Sequence, residues 1–221
     1  MAARDATWLV VGASRGIGLE FVRRLASADG VARVHATYRS AVPEGFDASR
    51  IVWHRVDVTS SEDVGALAVA VDRWDILVHN AGVKSDSRDE MRRVNAEAPF
   101  DVVSALLPTA APSGARVVLI GSQLGSRERF GGGKTPRDGY GASKCALNDA
   151  YRAAAGEWTD RGVASCVVHP GWVSTDMGGP SAPVTPAQSV AGMLALIERL
   201  SCESEDTCGA FLTYEGKRHP W

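Results

Sequence analysis

Apolar positions along the chain follow two rhythms. Short apolar runs bounded by turn residues, Thr7 to Val11, Val31 to Thr37, Ile51 to Val56, Ile76 to His79, Val117 to Ile120, Val163 to Val168 and Ala210 to Thr213, predict seven strands. Longer stretches with helical spacing lie between them, near 16–28, 61–72, 88–110, 140–160 and 186–200, with Pro186 placed as a helix start. Such alternation builds an α/β domain: an open, mostly parallel sheet covered by helices on both faces. Two stretches lack either rhythm, Gly125 to Gly139, rich in Gly and Arg, and Gly178 to Thr185, rich in Gly, Pro and Ser. They read as loops, the second as part of a small substrate lid near 176–200.

Composition narrows the function. At 221 residues and 45% hydrophobic content, the chain suits one domain over 1–221 with a substantial core. The net charge of -2 arises from 24 basic and 26 acidic residues mixed along the sequence, which argues against a nucleic-acid partner. Cys145, Cys166, Cys202 and Cys208 form no Cys-x-x-Cys or Cys/His cluster, so neither a metal site nor a disulfide scaffold is expected, although Cys202 and Cys208 are spaced to approach each other. The N-terminus runs almost directly into Trp8-Leu9-Val10-Val11, and no apolar run reaches membrane-spanning length. A reduced, cytoplasmic protein without a membrane anchor is the expectation.

The first strand ends in Gly12-Ala13-Ser14-Arg15-Gly16-Ile17-Gly18 and passes into an amphipathic helix. Glycine at such a turn lets backbone approach a ligand, and a pyrophosphate can accept the N–H groups of the helix start. The second strand ends Thr37-Tyr38-Arg39, where an NAD-preferring site usually places an acid for the ribose hydroxyls. Arg39 and Arg15 instead suit a 2′-phosphate, which favours NADP(H) while leaving NAD(H) open. Asp57, at the third strand's end, suits either an adenine amino group or a capping role with Thr59 and Ser60.

Tyr140 and Lys144 stand four residues apart at a helix start and share one face. A phenol ionises near pH ~10, so proton transfer near neutrality needs a shift of roughly three units, much of which a fixed ammonium one turn away can supply. Asn95 is a poor helix-interior residue, and Pro99 withholds the N–H that would bond its carbonyl; a bend and a bound water are expected there.

Taken in order, these motifs resemble the short-chain dehydrogenase/reductase family over nearly the whole chain, and most of all its C-factor/carbonyl-reductase group. Gly12 to Gly18 looks like the family's cofactor loop, Asp57-Val58 like its adenine-contact pair, and His79-Asn80-Ala81-Gly82 like its Asn-Asn-Ala-Gly motif. Asn95, Ser122, Tyr140 and Lys144 fall where the family has its catalytic tetrad, and Pro170-Gly171-Trp172-Val173-Ser174-Thr175 looks like its nicotinamide-contacting segment. The resemblance implies a doubly wound Rossmann fold with strand order 3-2-1-4-5-6-7 and a homodimer or homotetramer. It also implies NADP(H)-dependent reduction of a small carbonyl to an alcohol, or the reverse. Tyr140 would move the proton and Ser122 would orient the carbonyl. Lys144 would lower the tyrosine pKa, bind ribose hydroxyls and pass the proton to a water at Asn95. Gln123, Trp172 and Met177 are the expected substrate contacts. A cofactor sensor with little turnover is the alternative reading.

Four departures stand against that pattern. Val11 replaces a usual Thr and His79 a usual Asn, so one inter-strand hydrogen bond is expected to be lost or rerouted, with His79 structural rather than catalytic. The spacing from Asn80 to Asn95 is short. That from Ser122 to Tyr140 is long and carries Arg127-Glu128-Arg129-Phe130-Gly131-Gly132-Gly133-Lys134.

Overall fold

β1 (Ala6–Val11) illustrates why the sheet needs cover on both sides. Its residues from Trp8 to Val11 are all buried, with Leu9 and Val11 in one core and Trp8 and Val10 in another. A computed structural model describes residues 5–46, 49–130 and 139–221. β1 is joined by β2 (Val31–Tyr38), β3 (Ile51–Arg55), β4 (Ile76–His79), β5 (Ala115–Ile120), β6 (Val163–His169) and β7 (Ala210–Thr213). All pair in parallel, in the order β3-β2-β1-β4-β5-β6-β7. α1 (Gly16–Ala26) and α6 (Pro186–Arg199) close one face with Phe21, Leu25, Val190, Met193 and Leu196. On the other lie α2 (Ser61–Ala70), α4 (Ala98–Leu106) and α5 (Gly139–Asp160), contributing Leu67, Val102, Leu106, Leu147 and Tyr151. The expected Rossmann order is therefore the observed one.

One expectation needs correction. The single helix at 88–110 is broken into α3 (Arg88–Arg92), a π-helical turn over Arg93–Glu97, and α4, followed by a 3₁₀ turn. The Ala98 N–H reaches back to the Arg93 carbonyl, five residues away. Pro99, one residue later, cannot supply an α-helical N–H to Asn95, and the widened turn absorbs that mismatch. The helix expected at 186–200 is present as Pro186–Arg199, packed in the core with α1 and started by a Thr185/Gln188 capping box. Just before it, Ser174 N–H donates to the Val184 carbonyl at 2.8 Å and Val184 N–H to the Trp172 carbonyl at 3.1 Å. Gly131 to Lys134, in the long insertion, lie outside the described residues. No helix among the described residues is long and apolar enough to cross a membrane.

Candidate active site

The carboxyl ends of the strands open into one cavity of about 940 Å³, a volume suited to a dinucleotide with a small second ligand. It runs from the glycine turn past Tyr38, Arg39, Asp57 and Val58, along Asn80, Ala81 and Gly82, to Ser122, Gln123, Tyr140 and Lys144. Pro170, Gly171, Trp172, Val173, Thr175 and Met177 form the opposite lip. Of the residues expected from sequence to touch cofactor or substrate, only Gly18 and Asn95 stand off the wall. Arg15, Arg39, Lys84 and Lys144 outnumber Asp57 and Asp176 among its charged lining, although the whole chain is acidic. The cavity is thus biased towards a polyanion.

Close packing explains the glycines. A Cβ on Gly12, whose φ is +80°, would lie 2.6 Å from Ala81 Cα. Gly18 acts from behind: a Cβ there would collide with the Gly12 carbonyl and crowd Asn80 Nδ2, which itself donates to that carbonyl at 2.7 Å. Arg15 caps α1 without a side-chain hydrogen bond, whereas Ser60 and Thr185 cap α2 and α6 with theirs. The first-turn N–H groups of α1 are therefore left to an anion at the cavity wall. Gly12 N–H donates to Thr37 Oγ1 at 2.9 Å, which ties the glycine turn to the end of β2.

At the end of β2, Arg39 lines the cavity while Arg15 pairs with Asp176 at 3.2 Å across its mouth. The two guanidiniums flank the cavity without an acid at the end of β2. Asp57 accepts from Thr59 N–H at 2.9 Å and Thr59 Oγ1 at 2.7 Å, bonds that hold its carboxyl below the usual carboxylate range. Its turn-forming role is thus real, and it faces the cavity as well.

The catalytic end is wired from the α4/α5 side. Asn95, fully buried, accepts from Val83 N–H at 2.8 Å and donates to the Val83 carbonyl at 2.8 Å and to Ser143 Oγ at 2.9 Å. Ser143 in turn donates to the Tyr140 carbonyl at 2.7 Å. Asn95 therefore holds the start of α5, and through it Tyr140, against the strand-end segment at Val83. Sequence reasoning missed Ser143; its place three residues after Tyr140 on a helix start was the available signal. Lys144 Nζ donates to the Ile120 carbonyl at 2.8 Å and lies 6.0 Å from the centre of the Tyr140 ring. Burial lowers its ammonium to about 8. Ser122 Oγ accepts from Leu124 N–H at 3.2 Å, which leaves the hydroxyl proton to be donated into the cavity.

The mouth is looser. Leu124, Trp172 and Met177 are exposed, and all three line the cavity. Trp172 Nε1 donates to the Gly178 carbonyl at 2.7 Å, and Gln123 accepts from Arg129. Lys84, Leu124 and His169 are lining residues that sequence did not single out.

Comparison with known proteins agrees with this geometry. A profile for short chain dehydrogenase matches residues 6–184. The C-signal protein of Myxococcus xanthus is 37% identical over 158 residues, covering 66% of this chain and 92% of that protein. The cyclic-di-GMP-binding biofilm dispersal mediator protein of Escherichia coli is 30% identical over 235 residues, covering 95% of each. Among solved structures, the NADPH-bound carbonyl reductase from chicken fatty liver superposes with a TM-score of 0.85 at 31% identity, over 99% of this chain and 100% of that one. With the family profile spanning most of the chain and the sheet order, glycine turn and Tyr140/Lys144 wall in place, the protein belongs to the short-chain dehydrogenase/reductase family of oxidoreductases.

Proposed function

We propose that the protein is an NADP(H)-dependent carbonyl reductase, acting on a small aldehyde or ketone or on the corresponding alcohol. The observation that carries this reading is the convergence of Ser122, Tyr140 and the buried Lys144 on one wall of a cavity whose far end is the uncapped start of α1. The residues fit a dinucleotide: the backbone approach at Gly12, the α1 N–H groups for pyrophosphate, and Arg15 and Arg39 for a 2′-phosphate. Lys144 would hold ribose hydroxyls, and Thr175 with Val173 would face the nicotinamide. That cofactor supplies or takes up the hydride.

The chain's own residues do the rest. Ser122 donates to the substrate oxygen and fixes its orientation. Tyr140 gives its proton to that oxygen in reduction and takes one in oxidation. Lys144, charged below its lowered pKa, stabilises the phenolate that reduction leaves. A water at the Asn95 carbonyl returns the proton from solvent through Lys144. Closure of Gly178 to Thr185 over cofactor, excluding water, belongs to the same reading, as do a cytoplasmic location and assembly of copies through α4 and α5.

The test is NADPH oxidation over a panel of aldehydes, ketones and quinones, with turnover of at least one class expected. Tight NADPH binding with no turnover on any of them would favour the alternative, a cofactor-binding signalling protein, which the likeness to the C-signal protein keeps in view. Protease sensitivity of Gly178 to Thr185 with and without NADPH measures closure, light scattering the assembly and cell fractionation the location.

A further inference from the structure

His79 ends β4 with 2% of its surface exposed. Strand parity sets its direction. Leu77, two residues earlier, belongs to the core beneath α2, α4 and α5, as do the register partners of His79, Val11 on β1 and Leu119 on β5. The imidazole therefore enters the layer that carries Asn95 and Lys144. β1 and β5 flank it with apolar side chains, the π-helical turn and α4 add Val94 and Ala98 to the same core, and the one charge acting on it is that of Lys144 on α5.

The ring is half satisfied. It shares a hydrogen bond with its own backbone, while Nε2 is buried without a protein partner. Burial first, and the Lys144 charge second, push the imidazole down to about 3, so it stays neutral at any pH where the protein works. A neutral ring that donates through one nitrogen carries a lone pair on the other, and a buried acceptor needs a donor. Lys144 is the donor at hand. Its ammonium has three N–H groups; one goes to the carbonyl of Ile120, and before any cofactor binds the others are open to water. Ile120 directly follows Leu119, the residue beside His79 on the neighbouring strand. The two side chains make no direct bond, and a buried water is the usual way an acceptor so placed is satisfied.

We propose that His79 is a positioning residue for Lys144: its Nε2 accepts, through one buried water, a hydrogen bond from the Lys144 ammonium and so holds that charge in place beneath Tyr140. The ammonium donates to the water and the water donates to Nε2. The inference rests on the reading that the Lys144 charge serves Tyr140, but its central claim concerns two side chains that can be observed without turnover.

The chain has only four lysines, so isotope-labelled lysine resonances of the full protein can be followed through a pH titration, with Lys144 identified by its loss in Lys144→Met. In the unsubstituted protein Lys144 should titrate well below the other lysines. His79→Leu removes the acceptor and should lower the Lys144 pKa further, by about 0.4–1 pH unit, while His79→Gln, which restores an acceptor oxygen, should return it. A purely structural histidine would change the melting temperature in both variants and leave the lysine titration alone. An unchanged Lys144 titration in folded His79→Leu overturns the proposal, even where carbonyl reduction is intact. Should His79→Leu fail to fold, the nitrogen resonance of His79 Nε2 in the unsubstituted protein decides: a lone pair accepting a hydrogen bond supports the proposal, and a free lone pair refutes it. Absence of any turnover with the lysine shift present would instead count against the reductase reading alone.

Discussion

The floor and the mouth of the cavity are built on opposite principles. On the floor, Asn95, Ser143 and Lys144 are buried, and each donates to a named oxygen: the Val83 carbonyl and Ser143 Oγ, the Tyr140 carbonyl, and the Ile120 carbonyl. At the mouth, Leu124, Trp172 and Met177 stand exposed, and Arg15 and Asp176 meet with 73% and 76% of their side chains in solvent. Surface pairs of that kind contribute about 0–1 kcal/mol, whereas a buried polar group left without its partner costs about 1–3 kcal/mol. Reaction geometry is therefore stored in the floor, and the mouth is left for ligands to complete. Substitutions in the floor should move rate and stability, and substitutions in the mouth should move affinity.

The sharpest way to break this contrast is Tyr140→Phe. Loss of the proton donor should lower kcat by about 10²–10⁴ with NADPH affinity preserved, as read by turnover and by cofactor fluorescence titration. Retained turnover would remove Tyr140 from proton transfer. Asn95→Ala comes next. It strands the Val83 N–H and carbonyl and frees the Ser143 hydroxyl, so denaturant unfolding should show a loss of about 2–4 kcal/mol, with kcat falling because α5 no longer starts at a fixed place.

The floor also sets a pH dependence. An unfolded lysine keeps its proton to about pH 10.4, whereas buried Lys144 loses it near pH 8. Between those values the unfolded chain binds more protons, so the Lys144 contribution to stability rises with pH, while NADPH affinity falls because the ammonium is being lost. Lys144→Met should abolish both trends in unfolding and binding measured from pH 7 to 10.

Sequence revealed the floor's members better than their wiring. Strand periodicity gave all seven strands, and motif order placed Tyr140, Lys144 and Ser122 on one wall. The glycine turn was equally legible, since residue type there is dictated by close backbone approach. Asn95 was singled out for its carbonyl beside Pro99, yet its side chain turns out to clamp Val83 and Ser143, a partnership across 12 and 48 residues that no local pattern encodes. The break at Arg93–Glu97 escaped for a related reason: Pro99 announces a disturbed helix but not whether the chain kinks or widens. The helix at Pro186 to Arg199 was legible from its amphipathic pattern and Pro186, but its packing against α1 emerges only in three dimensions. The mouth was least legible.

At the end of β2 the contrast sharpens into selectivity. Arg39→Asp replaces the guanidinium at the end of β2 with the acid that ribose hydroxyls favour. NADPH affinity should fall about 10–100-fold, with NADH unchanged or improved, in a titration of both coenzymes. Equal losses would show that Arg39 does not read the 2′-phosphate, and would leave Arg15 as the remaining candidate.

The smallest effect belongs to the mouth itself. Trp172 is 52% exposed, and the indole is held by one bond to the Gly178 carbonyl. A substrate that covered about 40–80 Å² of that ring would gain about 1–2 kcal/mol. Trp172→Ala should therefore raise KM about 5–30-fold for bulky apolar carbonyls and leave kcat and NADPH affinity nearly unchanged. Trp172→Phe keeps most of the apolar surface and loses the bond to Gly178, so it separates substrate contact from loop anchoring. A KM near the unsubstituted value in the Phe variant assigns the effect to contact. A KM as poor as that of the Ala variant assigns it to the loop, and would mean that the mouth too stores geometry.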